Sequence, residues 1–204
     1  MENLTPIRLH CEVHAVKKLC SILIGVLIVF SLCACSNDVE QSSSSDVLKF
    51  DFVENIDSSL KETCESLSIK ESEIQESKHR GRYDFVSKET YKNIDFTKYL
   101  MFEEQEKENI LYGGGYESKT SKNDESLSVL IESMKQMISD EFGSPTTYPG
   151  AKNSIGEIKD FSVFSNESLV EEWQDGTKGK ITLRLTFNEE DVLIQLDYKK
   201  MVAR

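Results

Sequence analysis

The sequence predicts an α+β domain: an antiparallel sheet with two main helices packed on one face. Three patterns predict it. Two stretches carry apolar residues at intervals of three and four, as a helix with one buried face requires. Between them lie stretches rich in aromatic and β-branched residues, which favour strands. The last third alternates apolar and polar with period two, which buries one sheet face and wets the other.

Regular patterning starts near Val47. Asn55 or Asp57 can cap a first helix at about 56–67, where Ile56, Leu60, Cys64 and Leu67 share a face. Cys64 on that stripe reads as a small core hydrophobe, with no partner for redox or nucleophilic work. Residues 69–82 are polar, with Arg80-Gly81-Arg82 as a turn. Strands are predicted at 83–86, 94–102 and 110–116, and 103–109 is a polar connection. Its four glutamates lack the alternating ligands and the glycine of a calcium loop. Gly113-Gly114-Gly115 fits neither glycine spacing that cradles phosphate; it predicts a bulge or a close backbone crossing.

The second helix is predicted at 124–142, capped by Asn123 or Asp124. Leu127, Leu130, Ile131, Met134, Ile138 and Phe142 form its stripe, Met137 widens it, and Gly143 and Pro145 end it. An edge strand is predicted at 161–164, and a short strand at 169–173 ends in Trp173, packed on the same sheet. A hairpin closes the chain. Ile181, Leu183, Leu185 and Phe187 alternate with polar residues, turn at 188–190, and return as Val192, Ile194, Leu196 and Tyr198. The order of helix, strands, helix, strands is that of a tandem repeat. Residues 47–204 thus read as a single domain.

Composition narrows the function classes. The 204 residues carry a net charge of −12, with both signs interspersed and no basic stripe. That argues against nucleic acid as a partner and against an electrostatic grip on anionic lipid. Of three histidines, His10 and His14 precede an apolar block, and only His79, between Lys78 and Arg80, lies after it. A Ser-His-Asp triad or multi-histidine metal site has almost no material. Glu171/Glu172 is a carboxylate pair of the kind glycosidases use, but adjacent acids arise readily by chance in so acidic a chain. The chain is therefore expected not to be an enzyme, with no catalytic, metal-binding or cofactor-binding residues and no cofactor.

The apolar block gives an address. Lys17-Lys18 is a short positive start, residues 22–30 (Ile-Leu-Ile-Gly-Val-Leu-Ile-Val-Phe) have no polar side chain, and small residues come next. The apolar stretch over 19–34 is shorter than the roughly 20 residues of a spanning helix. These parts describe a secretory signal peptide. Its end, Leu32-Cys33-Ala34-Cys35, resembles the bacterial lipobox, with Cys33 where that family more often has Ser, Thr or Ala. The resemblance implies a signal peptide over 1–34, cleavage between Ala34 and Cys35, and diacylglycerol and acyl chains (palmitate among them) on Cys35. Several acyl chains anchor stably where one is marginal. Residues 36–46, with four consecutive serines at 42–45, continue from Cys35 as a flexible tether. Residues 1–15, with Glu2 and Glu12, suit no signal peptide, and Val16 is the better start. Cleavage removes Cys11, Cys20 and Cys33; with Cys35 lipidated, Cys64 alone remains and no intramolecular disulfide is possible.

The folded part has its own resemblance. Tyr112-Gly-Gly-Gly-Tyr116, the helix end Phe142-Gly-Ser-Pro145, lone Trp173 and the Ile181-Thr-Leu-Arg-Leu185 / Val192-Leu-Ile-Gln-Leu-Asp-Tyr198 hairpin resemble a group of lipoproteins of low-GC Gram-positive bacteria. The order of elements is similar to the tandem α/β repeat of β-lactamase inhibitor protein and outer-membrane assembly lipoproteins. No catalytic residues come with it. The expectation is a non-enzymatic lipoprotein on the extracytoplasmic face of the cell membrane, binding an envelope protein, a peptide or a glycan. A secreted inhibitor of an extracellular hydrolase is the alternative, and a small cell-surface hydrolase ranks below it.

Overall fold

A computed structural model describes Ser43–Ser44 and residues 47–147, 151–156 and 160–201. The signal peptide, the Ala34/Cys35 cleavage site, the lipidated Cys35 and most of the tether lie outside the described residues.

The chain builds one α+β sheet. In order come β1 (Ser43–Ser44), α1 (Leu60–Ser66), β2 (Ile74–Glu76), β3 (Arg82–Tyr91), β4 (Ile94–Gln105), β5 (Glu108–Ser121), α2 (Leu127–Phe142), β6 (Ser168–Asp175), β7 (Gly179–Phe187) and β8 (Asp191–Lys200). The strand order is β1-β3-β4-β5-β8-β7-β6, and β2 also pairs with β3. Every pairing is antiparallel except that of β1 with β3. Two three-stranded meanders, each preceded by a helix, therefore meet along a β5–β8 seam.

Both helices contribute to one apolar cluster on one face of the sheet. It holds Phe96, Leu100, Leu111 and Tyr116 of the first meander, and Trp173, Ile181, Leu183, Leu185, Ile194 and Leu196 of the second. From α2 come Leu127, Leu130, Ile131, Met134 and Ile138. Fully burying each such side chain contributes about 1.5–3 kcal/mol, so this stripe does more for the helix than intrinsic propensity. Trp173 lies in the cluster as its strand predicts, and its indole N–H donates to Ser139 Oγ at 3.1 Å.

Several boundaries differ from expectation. Helix α1 starts at Leu60 because Asp57 sits at φ 75°, a left-handed angle that cannot begin a helix. The cap is Ser59, in a capping box with Glu62. Its inner face includes fully buried Thr63, and Cys64 is only half-buried. Helix α2 starts at Leu127, while Asp124 Oδ1 takes the Ser126 amide at 2.8 Å one step earlier.

The polar connection expected at 103–109 is a solvated hairpin tip, with a shorter turn than its bounds suggest. Strand β4 runs to Gln105, Glu106 and Lys107 turn at φ 50° and 76°, and β5 resumes at Glu108. The tip is polar because it extends past the core. Residues 161–164 form no strand. Phe161 and Phe164 instead stack on Phe187 at 6.0 and 5.2 Å and lid the end of β7.

The glycine run does both things foreseen. The register passes from Met101↔Gly113 to Phe102↔Leu111, which leaves Tyr112 as the extra residue of a bulge. A Cβ on Gly115 would overlap the Leu196 carbonyl across the seam, and one on Gly114 would meet the Phe52 ring at 3.0 Å. Gly115→Ala should therefore cost about 2 kcal/mol or more in urea unfolding. Gly176→Ala, at φ 54° with open space around it, should cost only about 1 kcal/mol. Equal losses would contradict the tight seam.

Candidate functional site

The helices leave the other sheet face open, and its polar residues gather over the glycines of β5. Register places Tyr99 of β4, Gly115 of β5 and Asp197 of β8 in one row. With no side chain on Gly115, the Tyr99 ring can cross the strand, and its hydroxyl donates to Asp197 Oδ1. Tyr99 is only 2% exposed, although it belongs to the open face. The Arg82 guanidinium covers it, 4.0 Å from the ring centroid.

Carboxylates hold Arg82 in place. Its Nε donates to Asp84 Oδ1 at 2.6 Å and its Nη1 to Glu117 Oε2 at 3.0 Å. Gln195 Nε2 donates to the same Glu117 oxygen at 2.9 Å, and Lys199 Nζ stands 3.8 Å from Asp197 Oδ2. Burial, then the neighbouring Asp197 charge, pushes the Tyr99 phenol far above its ordinary pKa. Burial and Glu103 push Tyr112 the same way. Both phenols stay protonated at neutral pH. The cluster presents hydrogen-bond donors and fixed charge.

The helix side holds two partly buried ion clusters, one per meander. Lys98 Nζ donates to both oxygens of Asp51, at 2.6 and 2.8 Å, and lies 3.9 Å from Glu89. The Tyr116 hydroxyl donates to the Lys49 carbonyl at 2.6 Å, fixing the same entry segment. In the second meander, Glu171 of β6 faces Lys135 of α2 at 3.5 Å, and its Oε2 is buried without a hydrogen bond. Lys135 also donates to the Gly156 carbonyl at 2.7 Å, tying helix, strand and loop together. Burial raises the pKa of Glu171 and of Glu89, and the facing lysine only partly offsets it.

The residues singled out by sequence do not converge. Glu171 pairs with Leu183 and Glu172 with Thr182, on opposite faces of the sheet, so they cannot share a substrate. His79 is exposed in the turn before β3. The Cys64 thiol is raised by burial and then by Glu71. Among the described residues, no three His, Cys, Asp or Glu side chains gather as metal ligands. Sequence reading missed Tyr99, Arg82, Glu117 and Asp197. The signal was available: an aromatic at a wet position of β4, opposite a glycine.

Tyr99→Phe should lose about 1.5–3 kcal/mol in urea unfolding, one hydrogen bond to a charged acceptor, with the fold retained. Glu171, protonated more readily folded than unfolded, opposes folding above its raised pKa. Stability should thus fall as pH rises from the ordinary carboxylate pKa through the raised one, and Glu171→Gln should remove that component of the pH profile. Identical profiles for the two proteins would contradict the buried, under-bonded carboxylate.

No family model matches the chain, and comparison with curated proteins and with solved structures finds no relative of it.

Proposed function

We propose that this chain is a lipid-anchored protein of the extracytoplasmic membrane face, and that its domain is a non-enzymatic binding or envelope-assembly module. The observation that carries this reading is the leader. A positive start, a short apolar centre and Leu32-Cys33-Ala34-Cys35 stand directly before a serine-rich tether. The domain supports it in two ways. Among the described residues the first buried one is Leu48, close behind the serine-rich segment. Its open face carries an interlocked polar surface, Arg82, Tyr99, Glu117, Gln195 and Asp197, suited to recognition more than to bond-making. An envelope protein, a peptide or a glycan is the class of partner such a surface fits.

Growth with labelled palmitate tests the anchor. The wild-type chain should carry label and partition into membranes. Cys35→Ser should lose the label and remain an uncleaved precursor or appear in the soluble fraction. A wild-type chain without label, or a Cys35→Ser chain that matures and partitions unchanged, overturns the reading.

A further inference from the structure

The edges of the sheet are treated differently. Along β6 the outer edge is covered: the Thr146 amide donates to Glu172 O at 2.7 Å, the Glu172 amide to Thr147 Oγ1 at 2.7 Å and the Val170 amide to Asn153 O at 2.7 Å. On β3 the short β2 covers only Tyr83, Asp84 and Phe85. From Phe85 on the strand bulges: Phe85, Val86 and Ser87 stand against Lys98 alone of β4, and Val86, past β2, is 49% exposed. The remainder of β3 is an edge of the kind that accepts another strand. Its occupant is on the same chain. Ser43 pairs with Glu89 and Ser44 with Thr90, in parallel.

We propose that the outer edge of β3 is a docking site for this chain's own tether, seated at Ser43–Ser44, which shortens the leash between Cys35 and the domain. The leash rests on the lipoprotein reading; the strand pairing does not depend on it. Only seven residues, 36–42, then separate the anchor from the sheet, and the eight steps span at most about 29 Å of extended chain. Undocked, thirteen steps of chain reach Leu48, the first buried side chain among the described residues, or about 47 Å. The docked tether draws the β3 edge to the bilayer and leaves the β6 edge outward.

The same corner secures the segment that enters the core after the tether. Glu89, which receives Ser43, and Asp51, in that entry segment, both face Lys98. Phe52, one residue on, is fully buried with its ring edge-on to Phe50 at 6.0 Å. Pull on the anchor is thus met first by strand pairing and then by the Lys98 ion pairs and an aromatic plug. Serine suits the docking residue, because it is small and keeps the backbone amide that proline would lose.

Paired cysteines test the dock in the full, membrane-bound chain. Ser44→Cys/Thr90→Cys is made in a Cys64→Ser background, since directly paired strand positions fall within disulfide range. After mild oxidation of membranes, both thiols should lose maleimide labelling through an intrachain disulfide. The mismatched pair Ser44→Cys/Thr186→Cys should remain labelled. Persisting label in the matched pair overturns the dock, and an interchain disulfide overturns it in favour of a second copy's tether. As a readout free of the Thr90 change, Ser44→Pro should make the tether more sensitive to protease; unchanged sensitivity also counts against docking. Palmitate labelling of the same variants separates the two readings: an intrachain disulfide in an unlabelled, soluble chain keeps the pairing and overturns both leash and anchor.

Discussion

The β5–β8 seam holds this structure together, and a missing side chain makes it possible. Gly115 lets two backbones close to a distance that any Cβ would forbid. It also opens a path for Tyr99 to reach from one meander to Asp197 of the other. One glycine thus serves packing and polar bonding at once. A related arrangement appears on the helix side, where the Tyr198 ring packs on Gly179 and its hydroxyl donates to Asp175 Oδ2 at 2.8 Å. In each case an aromatic ring covers a glycine and ends on an aspartate, a stabilisation sheets use to offset the weakness of glycine in a strand.

The two faces of the sheet then take different roles. On the helix side the apolar cluster is bordered by the lysine–glutamate contacts of Lys98 with Glu89 and Lys135 with Glu171. Such buried pairs add little net stability, because desolvation offsets attraction. Their contribution is position: Lys98 fixes the entry segment and Lys135 fixes the loop at Gly156. On the open face the charges satisfy one another around Arg82, which yields a stiff polar surface.

Much of this was legible in the sequence, for physical reasons. Helix α2 and the β7–β8 hairpin each bury one clean face, so their periodicity fixed type and extent closely. The first helix was less legible because the left-handed Asp57 and the Ser59–Glu62 box lie within a polar run that pattern alone does not order. The Phe161–Phe164 segment misled because aromatic residues report burial, and here they bury as a lid on Phe187. The open-face cluster was hidden because Tyr99, Gly115 and Asp197 are brought together by register, which depends on the Tyr112 bulge. Glycine at 113–115 pointed to a crossing but not to the side chain that crosses it.

The proposed address is a lipid on the first mature residue, Cys35. Intact-mass and N-terminal peptide analysis of the protein extracted from membranes tests this most directly. The account predicts a mature chain that begins at Cys35 and carries a diacylglycerol thioether, with the leader gone. A chain that begins at any other residue, or a Cys35 with an unmodified thiol, would contradict it.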